Sequence, residues 1–269
     1  MYIGDREFKD SGKTYIMGIL NITPDSFSDG GQYMDRDKAL FHVEEMIRDG
    51  ADIIDIGGES TRPGYERISD EEEIDRISPV IESVKASFDI PVSVDTYKPA
   101  VALEAVRQGA DLVNDIWGLK SDAKMAEVIA QTKAAVCIMH NSEIMLDEKE
   151  VTEGVMRGLE ESVEIAQKAG IEKERIMLDI GIGFAKDTRG NLRLLKDMDR
   201  FIKMGYPFLL GASRKSVIGN TLNLPKDERD EATCSLSVLA VMAGFSFVRV
   251  HNIKANKRAI DMAEAVLYV

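Results

Sequence analysis

At eight places along this chain a short apolar run ends in polar or charged residues of the types that bind and polarise small molecules. The first is Asn21. The second is Asp55 with the loop Gly57-Gly58-Glu59-Ser60-Thr61-Arg62-Pro63-Gly64. Then come Asp95-Thr96, Asn114-Asp115 and His140-Asn141. The last three are Asp179 with Gly181-Ile182-Gly183-Phe184, Ser213-Arg214-Lys215, and Arg249 with His251-Asn252. Asp95, Asn114 and Asp179 offer carboxylate and amide edges, which suit the ring N–H and amino groups of a flat, nitrogen-rich heterocycle. Arg62, Lys215, Arg249 and His251 bring positive charge, and a guanidinium grips phosphate as a two-pronged fork. Asn21 and its neighbours would complete a magnesium site through phosphate oxygens and water. Singly these signals are weak, because an Asp after a strand is often a turn former and a lone His is more often structural.

Side chains so far apart in sequence meet only if the backbone gathers the run ends. The runs cover 15–20, 53–56, 91–94, 112–116, 134–139, 176–178, 207–210 and 247–250. Each is short and apolar without clean alternation, as strands buried on both faces are. Between them lie amphipathic segments. Residues 36–48 set Ala39, Val43, Met46 and Ile47 on one face, and 70–88 set Ile74, Ile77, Ile81 and Val84. Similar faces run through 100–107, 122–131, 151–168, 191–203, 231–243 and 256–267. Glycine closes many of them, and the tripeptide Gly-Ala-Asp recurs at 50–52 and 109–111 as one helix-to-strand turn. Eight strands alternating with helices predict a (β/α)₈ TIM barrel in a single domain, 1–269. Residues 1–13 read as a short N-terminal hairpin turning at Ser11-Gly12. An open doubly wound sheet is the alternative, but no G-x-G-x-x-G supports it. In a barrel all eight run ends share one mouth.

The composition narrows the partners. Acidic residues exceed basic ones by 47 − 34 = 13, which argues against nucleic acid and leaves room only for a local basic cluster. The acidic run Ser69-Asp70-Glu71-Glu72-Glu73 reads as solvated helix exterior. Cys137 and Cys234 lie far apart in apolar surroundings and read as buried thiols, not a disulfide. No signal peptide and no apolar stretch of membrane-spanning length is seen, so the expectation is a cytoplasmic protein with no membrane contact.

The motifs LNITPDSFSDGG (20–31), GGESTRPG (57–64), VSVDT (92–96), VNDI (113–116), GIGF (181–184), GASRKS (211–216) and VRVH (248–251), in this order, resemble those of the dihydropteroate synthase family. The resemblance implies a pterin-binding barrel that joins 6-hydroxymethyl-7,8-dihydropterin pyrophosphate to para-aminobenzoate in folate synthesis, with magnesium, as a homodimer and a sulfonamide target. By the resemblance, Asp95, Asn114, Asp179 and Lys215 contact the pterin, with Asp115 and Met139 nearby. Asn21, Thr61, Arg62, Arg249 and His251 take the pyrophosphate, Asn21 also the metal. Pro63, Phe184, Ser213 and Arg214 take the aminobenzoate. Asp95, Lys215, Arg249 and His251 are the catalytic set, and the loops 21–35 and 57–69 are expected to cover the site. Four positions depart from the family pattern: Asn141, Ile180, Ala185 and Asn252. Two other readings stay open here, a methyltetrahydrofolate methyltransferase and a non-catalytic pterin-binding barrel.

Overall fold

The computed structural model describes residues 1–9, 12–22, 31–59 and 67–269; of 31–35 only the backbone is described. Two short antiparallel strands, β1 (Tyr2–Ile3) and β2 (Arg6–Glu7), open the chain. They are the expected hairpin, but the chain reverses at Gly4-Asp5. The Ser11-Gly12 turn is not that reversal, and Ser11 lies outside the described residues.

Among the described residues eight parallel strands close into a barrel. They are β3 (Tyr15–Asn21), β4 (Ile53–Gly57), β5 (Val92–Asp95), β6 (Leu112–Asp115), β7 (Ala135–Met139), β8 (Ile176–Asp179), β9 (Phe208–Leu210) and β10 (Phe247–Val250). Each pairs with the next, and β10 returns to pair with β3 through Arg249 opposite Met17. Successive strand residues face opposite sides, so two apolar layers form. Ile16, Ile54, Val94, Val113, Val136, Leu178 and Val248 face the helices. Met17, Ile53, Leu112, Ala135, Cys137, Met177, Leu209 and Phe247 fill the barrel itself. Both cysteines are free; Cys137 is buried inside the barrel, whereas Cys234 is only half-buried, not fully buried as expected.

The helices are α1 (Gly31–Arg48), α2 (Asp70–Ser87), α3 (Pro99–Arg107), α4 (Lys124–Thr132), α5 (Val151–Ala169), α6 (Thr188–Lys196), α7 (Met198–Phe201), α8 (Ser216–Leu222), α9 (Asp230–Ala243) and α10 (Ile253–Leu267). The two Gly-Ala-Asp turns share one geometry: Gly50 and Gly109 stand at φ +104° and +108°, a region that costs other residues strain. The segment 191–203 is not one helix. It breaks at Asp197, whose carboxylate accepts from Thr152 Oγ1 and Arg193 Nε, both at 2.8 Å. The acidic start of α2 is not all solvated either, since Glu73 is 1% exposed. On α9, Val241 is core, Leu236 is half-buried and Leu239 is exposed. No helix among the described residues is long and apolar enough to cross a membrane.

Candidate active site

The barrel register brings most of the expected residues to one mouth. One inward step beyond the apolar filling stand Asp55, Asn114, Met139 and Asp179, and the next inward positions hold Asn21, Gly57, Gly211 and His251. Asp95 lies opposite Asn114, and Met139 opposite Asp179. Asp95, Asn114 and Asp179 are all buried. Glycine at two inward positions makes space: a Cβ on Gly211 would lie 3.0 Å from Asp179 Oδ2, and one on Gly57 3.4 Å from Asp95 Cβ.

Charge is concentrated there. Arg249 Nε donates to Asp55 Oδ2 at 2.6 Å and its Nη2 to Asp95 Oδ2 at 2.5 Å. Burial pushes the Asp95 carboxyl up to about 7; Arg249 opposes that rise, and Asp55 adds to it. Its second oxygen, Oδ1, is buried and accepts no hydrogen bond from the described residues. A buried acceptor without a donor is costly unless a ligand supplies one. Burial also raises Asp179, against the nearby Lys215. Lys215 Nζ donates to Ile182 O at 2.6 Å and lies 4.6 Å from the Phe184 ring centroid. Burial brings Lys215 down to about 8, so it remains mostly charged at neutral pH.

His251 departs from expectation. Its Nδ1 lies 2.9 Å from Ser213 Oγ. Burial, with Arg249 and Arg214 nearby, lowers it to about 3. The imidazole therefore stands neutral, without the positive charge expected of it. Arg214 reaches Asp230 with both Nε (2.6 Å) and Nη2 (2.8 Å), so its charge is already balanced. Asp115 faces away from the barrel axis. Its carboxylate takes the backbone N–H of Trp117 (2.9 Å) and of Leu119 (2.7 Å), stapling the loop after β6. Met139 packs at the mouth with Tyr97, Ile116, Trp117 and Phe184.

Some contributors had no role assigned from sequence. Asp55 was visible at a strand end, but its pairing with Arg249 needs the closed barrel to be seen. Lys186 Nζ donates to Gly181 O (2.9 Å) and Phe184 O (2.7 Å) and lies 3.2 Å from His140 Nδ1, holding the loop that carries Phe184. Burial lowers Lys186 to about 7. Lys98 Nζ lies 2.8 Å from both Glu59 Oε2 and Glu73 Oε2, and Tyr97 Oη donates to Glu59 Oε1 at 2.8 Å. Thr61, Arg62 and Pro63, and residues 23–30 of the first loop, lie outside the described residues.

The departures have local explanations. Asn252 caps α10 by accepting from Ala255 N–H at 3.1 Å, and its amide donates to Asp230 Oδ2 at 3.0 Å, which a carboxylate cannot do. Ile180 is fully buried in the core. Ala185 sits at φ +50° and its carbonyl accepts from Leu146 N–H at 3.2 Å. Asn141 Oδ1 accepts from Ser142 N–H at 2.9 Å.

For a metal, the described residues hold no group of three or more His, Cys, Asp or Glu side chains. Asn21 offers one neutral oxygen at the mouth. That fits magnesium, which keeps several waters and draws its other ligands from phosphate.

A family model described as pterin binding enzyme matches residues 17–251. The dihydropteroate synthase of Clostridium beijerinckii is 51% identical over 268 residues, 99% of each chain. Two solved dihydropteroate synthases superpose closely. That of Clostridium difficile, crystallised in the presence of pteroic acid, has a TM-score of 0.92 at 46% identity, covering 96% of this chain and 98% of that one. That of Xanthomonas albilineans with 4-aminobenzoic acid has 0.91 at 38% identity, covering 96% and 94%.

Proposed function

This chain belongs to the pterin-binding enzymes and, among them, to the dihydropteroate synthases, and we propose that it joins 6-hydroxymethyl-7,8-dihydropterin pyrophosphate to para-aminobenzoate, releasing pyrophosphate and 7,8-dihydropteroate. The observation that carries this reading is the ring of buried acceptors, Asp95, Asn114 and Asp179, set against Lys215 and Arg249 at one barrel mouth. The acceptors match the pterin's ring N–H and amino groups, and the open Oδ1 of Asp95 has a donor to gain.

The chemistry needs no protein nucleophile. The bond between the pterin methylene carbon and its oxygen breaks, and the electron pair leaves on pyrophosphate. The amine nitrogen of para-aminobenzoate forms the new bond to carbon and loses a proton. Asp95 holds negative charge beside the ring, where positive charge develops. Arg249 and His251 meet the departing pyrophosphate. A nearby anion raises the His251 pKa and so opposes the lowering by burial, Arg249 and Arg214. Asn21 would hold magnesium together with pyrophosphate oxygens and water, and the ion when bound would offset the leaving group's charge. Phe184, Ser213 and Arg214, the last balanced by Asp230, are assigned to the aminobenzoate, as is Pro63. Thr61 and Arg62 are assigned to the pyrophosphate. A homodimer is supported by exposed apolar side chains on adjacent helices, Leu239 and Met242 of α9 and Met262 and Val266 of α10.

The test is condensation itself. Pterin pyrophosphate, para-aminobenzoate and magnesium should yield pteroate and pyrophosphate in equal amounts. Asp95→Asn should keep the fold and lose roughly 10²–10³ in kcat, the scale of removing one transition-state electrostatic contact. Pterin binding without condensation by the wild-type protein would overturn the reading.

A further inference from the structure

Asp55 has no place in the substrate contacts above, yet it is 0% exposed and bound to the charge at the centre of the site. It lies in register with Ser93, two residues before Asp95 on β5, so it sits one inward layer below Asp95. The Nε–Nη2 edge of a guanidinium usually grips one carboxylate in a bidentate pair. On Arg249 that edge is divided: Nε goes to Asp55 and Nη2 to Asp95. Nη1 has no hydrogen-bond partner among the described residues. Two buried carboxylates thus share one cation, and one oxygen of each, Asp55 Oδ1 and Asp95 Oδ1, has no donor among the described residues.

We infer that Asp55 is a positioning residue: it fixes the side-on edge of Arg249 from below, so that the guanidinium stays in the mouth while Asp95 changes partners. The inference rests on the proposed pterin and pyrophosphate contacts and deepens them. Without Asp55, Arg249 would be held by Asp95 alone and would compete with the pterin's donors for that carboxylate. With Asp55, one guanidinium nitrogen remains anchored through the cycle and Nη1 is presented to the leaving pyrophosphate. Asp55 also tunes Asp95 by charge. The groups that act on Asp95 are Arg249 from β10, Asp55 from β4, Glu73 from α2 and Lys215 after β9. Of these, Asp55 and Glu73 disfavour its ionisation, and Arg249 and Lys215 favour it.

The test is Asp55→Asn, which keeps the shape and leaves Arg249 and Asp95 as a balanced pair. The expected result is an acid limb of kcat/KM for pterin pyrophosphate that moves to lower pH by roughly one unit, since a neighbouring negative charge has gone. KM for pterin pyrophosphate should rise about tenfold, on the scale of one charge-assisted hydrogen bond, with KM for para-aminobenzoate unchanged. A uniform loss of kcat with an unmoved limb, or equal rises in both KM values, would assign Asp55 to structure alone and overturn the inference. If the variant fails to fold, ¹⁵N spectra of the Arg249 guanidinium in the wild-type protein decide. Its Nε–H, held by Asp55, should stay protected from exchange with water whether or not pterin pyrophosphate is bound, and loss of that protection on binding overturns the anchoring. Failure of the synthase reading shows separately, as wild-type protein that makes no pteroate. The shift of the pH dependence of pterin binding by Asp55→Asn can then still be read by calorimetry.

Discussion

Asn252 shows how one atom's identity decides a contact. Its oxygen caps α10 and its nitrogen serves Asp230, whose carboxyl is held below its ordinary range chiefly by the hydrogen bond from Arg214. Asn252→Asp should keep the cap, since Asp caps as well as Asn. It should lose the hydrogen bond and set two carboxylates side by side. Both would then have folded pKa values raised relative to this absence of repulsion, so the penalty is present at high pH and fades as protons bind. Denaturant melts at pH 7.5 should show a loss of about 1 kcal/mol that fades only as the pH falls below about 4. The sequence made Asp95, Asn114 and Asp179 legible, because strand alternation with polar ends leaves few other readings. It hid the neutrality of His251 and the pairing of Asp55. Both depend on burial and on Arg249, a residue 194 positions from Asp55 along the chain.

At the scale of elements, the strands were legible almost to the residue, while the helices were less so. The short α8 was missed because seven residues carry little periodicity, and the break at Asp197 depends on Thr152 from another helix. The join between β4, α2 and α3 was hidden for a similar reason. Lys98, just before α3, sits between Glu59 after β4 and Glu73 of α2, and it also donates to Ile68 O at 2.8 Å. Burial pushes Glu59 up, but its hydrogen bonds, that from Lys98 first, outweigh this and hold it low; in Glu73 burial wins and the carboxyl is raised. Lys98→Met would leave two buried carboxylates without their cation. The expected loss is about 3–5 kcal/mol, read from chemical unfolding. A loss under 1 kcal/mol would mean that water already reaches this cluster.

For the whole molecule, eight apolar runs of similar length implied closure, and the return of β10 onto β3 completes it. The assembly beyond one chain was not legible, because Leu236, Leu239 and Val241 of one helix take three different degrees of burial. Sedimentation at micromolar concentration should give twice the chain mass. Closure has a further consequence through Cys137, which faces Asn114 and Met177 inside the barrel while Cys234 lies half-buried on α9. The two sulfurs are natural clocks. A thiol-specific dye should label Cys234 in the native protein and reach Cys137 only when strands part, slower by roughly 10³–10⁶, the inverse of a typical open fraction. Bound pterin should slow the second clock and leave the first unchanged, so that labelling of one interior atom reports how often the barrel opens.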